Sequence, residues 1–314
     1  MTEHATQEPV AEADGRPVNA AALGEAGQYA GPAVVKLSHT TIATALACPR
    51  KWKYRYVDQL EPVAQPAAFA FGRAVHAAVA QAYACQNAPM TAEEVAGVFA
   101  QHFAALDREG ISYKEKEKYE DLLAKGRALA ALWYEKHRDD VLNAKVLACE
   151  AYLSHNVDVG LVLQGYADIV EERDGRLLVG DHKTVASWGD SDEVAMSQST
   201  QFLGYAYLVW KKYERIPEGA YVTVLKKTKT PDAFRYYMQP PSLDQLCEFE
   251  VYVRDVASVI RFYQTEQIDV KNVSRNCSWC PYAGLCFNVE GAEAMFKPRK
   301  HRTAPAPEPE EVEV

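Results

Sequence analysis

The spacing of apolar residues changes period near Lys145. Before that point the pattern is helical. Ser38 reads as the N-cap of a short helix ending near Ala47. A second helix opens at Phe71-Gly72-Arg73-Ala74-Val75-His76 and reaches about Cys85. Residues 91–108 and 114–138 predict two more amphipathic helices, and the lysines and glutamates that start the second read as a solvated face. From 145 onward the alternation is that of strands. Residues 145–153, 161–170 and 176–184 are three predicted strands, and Asp174-Gly175 joins the last two. That dipeptide tolerates the positive φ values of a tight hairpin turn. Residues 196–213 return to a helical period, 220–226 and 234–238 are further strands, and Ser242 caps a long helix reaching about Gln267. No internal repeat is present. The order predicts one α/β domain, with a mixed central sheet, helices on both sides and a helical insertion in the N-terminal part.

Composition adds boundaries. The 314 residues are 48% hydrophobic, enough for one large core or two modest ones. No apolar run approaches the roughly 20 residues of a membrane span, and the first residues lack a basic stretch followed by an apolar one. A cytoplasmic location is therefore the expectation. The net charge of −9 sits mostly in the ends: residues 1–33 carry five acids against Arg16, and 303–314 carry four glutamates. The remaining body is near neutral and can hold a basic groove, so the charge argues neither for nor against DNA. Residues 1–33 are expected to be a disordered tail, 34–296 the folded domain, and 297–314 a basic then acidic disordered tail.

Candidate chemistry gathers on the hairpin. The strand over 176–184 ends Asp181-His182-Lys183. Alternation puts Asp181 and Lys183 on one face and His182 on the other. Asp168 lies on the partner strand. Charges carried into a sheet are costly unless something compensates them. Two converging carboxylates beside a lysine suit a divalent metal and the water it activates. Each residue alone would be read as a solvated charge. Glu150 is a lone acid in an aliphatic run, and Gln201 and Tyr205 share a helix face. A lone histidine such as His76 is more often a satisfied core residue. Gly72, one turn earlier, allows close approach of a backbone or phosphate.

Two further clusters stand out. Arg50, Lys51, Trp52, Lys53 and Arg55 interleave basic and aromatic side chains. They suit a grip on nucleic acid, or equally an amphipathic helix with snorkelling cations. Cys277, Cys280 and Cys286 form C-x2-C-x5-C among seven cysteines. Cys85, Cys149 and Cys247 sit in apolar patterns and read as buried thiols, which leaves Cys48, followed by Pro49, as a fourth ligand. Four thiolates suit Zn2+ or an iron–sulfur cluster, and the ligand types do not separate the two.

Taken in order, Cys-Pro-Arg-Lys-Trp-Lys-Tyr, Gly-Arg-Ala-Val-His, Gly-Tyr-Ala-Asp, Asp-His-Lys-Thr, Gln201-x3-Tyr205 and Cys-x2-Cys-x5-Cys resemble the RecB-like branch of the PD-(D/E)xK nucleases. Cas4-type exonucleases, including those of bacteriophages, and the nuclease domain of AddB are similar. The resemblance spans about residues 48 to 286. It implies a restriction-endonuclease-like core and a metal-dependent DNA exonuclease, acting at single-stranded ends in recombination, repair, phage replication or CRISPR adaptation. It implies Mg2+ or Mn2+ on His76, Asp168 and Asp181, with the His182 carbonyl as a further ligand. Lys183 would orient or deprotonate the attacking water, while Gln201 and Tyr205 would hold the lysine or the DNA. Glu150 matches an acid on the preceding strand. Cys48, Cys277, Cys280 and Cys286 would bind a [4Fe–4S] cluster. The middle residue of Asp-x-Lys is commonly Tyr in relatives and is His182 here. The chain has no G-x4-G-K-[ST], so a helicase would be a separate partner. The rival classes are a non-catalytic DNA-binding module of the same fold and a structural zinc protein.

Overall fold

The computed structural model describes residues 34–228 and 230–299. The expected tail at 1–33 and all of 300–314 lie outside the described residues. The N-terminal part holds β1 (Val35–Leu37), α1 (His39–Ala47), α2 (Pro49–Trp52), a π-helical turn (Lys53–Val57), β2 (Leu60–Pro62) and β3 (Gln65–Pro66). Three helices follow, α3 (Ala67–Ala84), α4 (Ala92–Gly110) and α5 (Tyr119–Asn143), with β4 (Ile111–Ser112) between the last two. The long strands are β5 (Lys145–Asp158), β6 (Leu161–Arg173) and β7 (Arg176–Val185). Helices α6 (Asp190–Ser197) and α7 (Thr200–Tyr213) lead to β8 (Gly219–Lys226), β9 (Asp232–Met238) and α8 (Leu243–Thr265). The short helix α9 (Ala283–Cys286) and β10 (Phe296–Pro298) complete the described chain.

Six strands form one mixed sheet. The hairpin of β6 and β7 turns at Asp174 (φ 51°) and Gly175 (φ 75°), two left-handed residues as a tight primed turn requires. β7 and β8 are parallel and are joined through α6 and α7, while β8 and β9 are antiparallel. β6 is the branching strand. Along one edge it pairs with β5 throughout; along the other it pairs with β7 over 169–173 and with β1 over 161–163. Residues 164–168 therefore lie in a fork where the neighbouring strand changes.

Each face of the sheet is covered by a helical layer. On one side Ile42, Ala45, Tyr207, Phe249, Val253 and Ile260, from α1, α7 and α8, pack on Leu163, Val170, Leu177 and Val179. On the other, α3, α4 and α5 pack Phe71, Val75, Phe99 and Trp133 against Ile169, Leu178 and Tyr221. The segment 91–140, to which no motif could be attached, supplies α4 and most of α5 and so most of this second layer. Its close packing depends on Gly126, where an added Cβ would fall 1.8 Å from the Phe99 ring. Thr91 and Glu94 form a capping box that starts α4, and Ser242 and Gln245 form one that starts α8.

Four expectations change. The predicted helix over 196–213 is two helices, broken at Gln198–Ser199, where the Ser199 side chain accepts the Gln201 N–H and starts α7. The helix carrying His76 begins at Ala67, four residues before Phe71. Cys247 is exposed, because it lies on the outer side of amphipathic α8. Lys297 and Pro298, assigned to the C-terminal tail, instead belong to β10 and pair with Glu61 and Leu60 of β2. Among the described residues no helix is long and apolar enough to cross a membrane.

Candidate functional site

The hairpin register builds a row of carboxylates. Ile169 pairs with Gly180, so Asp168 and Asp181, the next residues outward, stand opposite each other. On the other edge of β6, Cys149 pairs with Ile169 and Ala151 with Ala167, which puts Glu150 beside Asp168. Three adjacent strands thus present three acids side by side. Glu150 departs from strand geometry, with a left-handed φ of 47°. Such a conformation costs a non-glycine residue on the order of 1–2 kcal/mol. Its carboxylate nonetheless reaches His76, with Oε1 3.2 Å from Nδ1.

The Asp181 face carries the other polar groups. Asp181 is 1% exposed. Its Oδ1 accepts 2.9 Å from Gln201 Nε2, and Lys183 Nζ lies 2.8 Å from Oδ2. That ion contact is off hydrogen-bond direction, so Oδ2 has no hydrogen-bond donor. Gln201 Oε1 accepts from Lys183 Nζ at 3.1 Å, and Gln201 Nε2 also donates to the Tyr205 hydroxyl at 3.0 Å. One amide therefore orients both the carboxylate and the lysine. Burial and the Asp168 charge push the Asp181 carboxyl up, against the opposing pull of Lys183.

His76 enters from α3. Its Nε2 donates to the His182 carbonyl at 2.8 Å, and its Nδ1 lies 3.4 Å from Asp168 Oδ2. Burial opposes the imidazolium, but hydrogen bonds to Asp168 and Glu150 outweigh it and raise His76 to about 11. Burial works against the charged form of Asp168 too; His76 prevails and holds that carboxyl below its usual range. The His182 backbone N–H donates to Asp168 Oδ2 at 2.8 Å. The His182 ring points to the opposite layer, 6.1 Å from the Trp133 ring, as alternation predicts. Both its ring nitrogens are buried without a partner, and burial pulls it down to about 3.

These residues suit a cation. His76, Glu150 and Asp168 each offer a ligand atom within 4.8 Å of the others, and they are the one such group among the described residues. A divalent ion could take the place of the His76 proton among these carboxylates, with the Asp181 carboxylate beside them. The expected metal set was His76, Asp168 and Asp181. In this geometry Glu150 joins the group and Asp181 lies outside it, turned to Gln201 and Lys183. The His182 carbonyl accepts from His76. His39 was not anticipated. Its Nδ1 lies 3.2 Å from Thr200 Oγ1, and burial and the Lys183 charge together lower it.

The remaining clusters behave differently. Trp52, a candidate for base stacking, is 4% exposed and packs near Tyr56 and Tyr263. Arg50 binds Asp269 through both carboxylate oxygens, Lys53 binds Asp58, and Arg55 lies over the Tyr56 ring. The 50–55 stretch is thus a brace for the C-terminal segment, because its aromatic face is buried and most of its cations are paired. Lys51 remains half-buried. Among the cysteines, the Asn272 N–H donates to Cys48 Sγ at 3.5 Å and the Ser274 N–H to Cys277 Sγ at 3.4 Å. Burial raises Cys280, with Cys48 and Cys277 adding to the effect. The four sulfurs do not close into a group with ligand atoms within 4.8 Å.

A family model described as the PD-(D/E)XK nuclease superfamily matches residues 36–287. No curated protein matches the sequence. Among solved structures, that of a candidate exonuclease from Eubacterium rectale aligns over 79% of this chain and 87% of its own, at 11% identity and a TM-score of 0.52. That likeness is one of fold. The structure of SSO0001 aligns over 80% of this chain and 85% of its own, at 14% identity and a TM-score of 0.39, and carries no argument.

Proposed function

The chain belongs to the PD-(D/E)XK nuclease superfamily, and on that premise we propose that it hydrolyses DNA as a metal-dependent exonuclease of the RecB-like, Cas4-type branch, acting on single-stranded ends. The observation that carries the proposal is the assembly on three adjacent strands: Glu150, Asp168 and Asp181 in one row, with His76, Lys183 and Gln201 around them. The exonuclease name of the Eubacterium rectale protein supports the same class.

His76, Glu150, Asp168 and Asp181 would hold one or two divalent ions. An oxygen-rich set with one imidazole suits Mn2+ at least as well as Mg2+. A bound ion there would supply a nucleophilic water at neutral pH and screen the charge on the phosphate. Lys183, with its side chain partly exposed and held by Gln201, can orient that water and donate to a phosphate oxygen. Its ammonium carries three donors, of which Gln201 Oε1 takes one beside the ion pair with Asp181. Tyr205 backs Gln201 and keeps its amide aimed.

The same proposal assigns Cys48, Cys277, Cys280 and Cys286 to a [4Fe–4S] cluster. Backbone N–H groups aimed at Cys48 and Cys277 support it, since such bonds favour thiolates. Cluster formation would draw the four sulfurs together. A brown, iron-containing protein after anaerobic purification is the expected result, and a colourless one with stoichiometric zinc would replace iron by zinc. Any motor that feeds the strand would be a separate protein. The test of activity is a 5′- or 3′-labelled single-stranded oligonucleotide with Mn2+, Mg2+ or EDTA. Stepwise shortening with either metal and none in EDTA is expected. Internal cuts only, or no cuts, would remove the exonuclease assignment.

A further inference from the structure

The fork in β6 opens into a cavity of about 220 Å³. It lies between the N-terminal ends of α1 and α7, over the stretch Gln164–Tyr166 where neither β1 nor β7 pairs with β6. The floor is apolar, formed by Leu163, Leu208 and Phe249, and Gly165 faces the Tyr205 ring and Leu208 across it. Gln201 lines it as well, and Gln201 is the residue that binds Asp181 and Lys183. Cavity and candidate scissile site therefore share a wall.

We propose that this cavity receives one unpaired nucleobase of the strand being cut, from a nucleotide adjoining the scissile phosphate. The inference rests on the nuclease function proposed above. Its chemistry is that of a heterocycle. An apolar space with Tyr205 beside it suits stacking, which every base can supply. The volume lies below the roughly 300 Å³ of a drug-sized site, enough for one planar ring system and too small for a base pair. The polar rim is uncharged in character. His39, lowered by burial and by Lys183, is held by Thr200 and offers a neutral imidazole, and Thr200 adds a hydroxyl. A rim for a phosphate would carry cations. A duplex could fill the cavity only by giving up a pair, so the pocket would favour frayed or single-stranded ends.

The test uses the full chain and a set of single-stranded oligonucleotides, each with one abasic residue at a different step from the labelled end. Binding is read by anisotropy with Ca2+ in place of Mn2+, and cleavage with Mn2+. One position should weaken binding and raise KM about tenfold, the factor that lost stacking of one base gives, while kcat changes little. His39→Ala should weaken binding of the intact strand and erase the penalty at that position. His39→Phe, which keeps a ring at the rim, should behave nearly as wild type. Should His39→Ala melt early, Thr200→Ala provides the same comparison. Equal tolerance of abasic residues at every position, or a penalty unchanged in both variants, would overturn the pocket. If the positional penalty appears in binding but no strand is cut, the nuclease proposal fails and the pocket stands. If strands are cut without a positional penalty, the pocket fails and the nuclease stands.

Discussion

Asp168 and Asp181 face each other because a two-residue turn at Asp174-Gly175 leaves the hairpin no other register. Cys48 and Cys277 approach each other by a different route. Their segments are joined by single contacts across the length of the chain. Asn272 Nδ2 donates to the Ala47 carbonyl, Arg50 pairs with Asp269, the Tyr282 hydroxyl donates to the Leu60 carbonyl, and β10 lies on β2. The first region is positioned before any ligand arrives. The second is docked but its sulfurs are not closed together. A ligand binding the first region gains mainly by relieving buried charge. A cluster binding the second must also finish the assembly, so its binding energy is linked to local folding.

The largest effect should come from the preformed region. Lys183→Ala is expected to lower kcat by about 10³-fold or more, because a charged donor aimed at the transition state is lost. Asp181→Asn should do the same. The two should part in stability without metal. Lys183→Ala leaves a buried carboxylate without its cation and should melt lower, whereas Asp181→Asn removes that carboxylate and should melt at or above wild type. Melting curves in EDTA, measured beside rates in Mn2+, test both. Equal melting of the two variants would show that the Asp181–Lys183 pair is not the electrostatic centre of the site.

Cys48→Ala should sharpen the other half of the comparison. Iron should be lost, with cleavage by the remaining fold retained at low temperature. A crosslink that alone spanned so much of the chain would give roughly 4–5 kcal/mol by the loop-entropy model. Cys48 is not the sole tie from its end, because Arg50, Ala47 and β2 are all bound to the C-terminal segment. The expected loss is therefore smaller, about 2–3 kcal/mol, and the segment over 38–56 should resist protease. Full unfolding, or unchanged iron content, would contradict this. Gln201→Ala should fall between. It frees Lys183 and Asp181 without removing either, so a roughly tenfold loss in kcat is expected, with iron content unchanged. A loss equal to that of Lys183→Ala would make Gln201 a participant in chemistry and not a positioning residue.

The two regions were also unequally legible in the sequence. A turn dipeptide and strict alternation were enough to place Asp181, Lys183 and His182 on their faces, since both are local rules. Helix starts at Ser38 and Ser242 were readable for the same reason. The left-handed backbone at Glu150 was not, because a glutamate carries no conformational signal for it. The fork in β6 depends on β1, whose residues lie more than a hundred positions away. Trp52 and its cations were ambiguous because the same amphipathic pattern serves packing and gripping. The partner that decides it, Asp269, is 219 residues distant. The helical layer over 91–140 carries no motif because its work is burial, and burial is satisfied by many sequences.

The remaining effect concerns acid stability, and it belongs to the preformed region alone. His182 is 2% exposed with neither ring nitrogen bonded, packed between Trp133 and His76. Burial holds it near 3, below the ordinary value of 6.5. An unfolded chain takes up this proton as pH falls through about 6.5, and the folded chain does not until near 3. Unfolding is thus favoured progressively across that window, with a slope of at most about 1.4 kcal/mol per pH unit for one proton. Asp181, whose carboxyl is raised on folding, works in the opposite sense, so the two partly offset. His182→Phe keeps a ring against Trp133, removes two unbonded nitrogens and deletes only this proton. The difference between wild-type and variant stability in EDTA should then be nearly flat above pH 7 and grow in the variant's favour as pH falls toward 4. The cysteine-end variant Cys48→Ala should show no such pH-dependent difference over the same range. A His182→Phe curve parallel to wild type would mean that the ring is hydrogen-bonded or protonated in the folded protein.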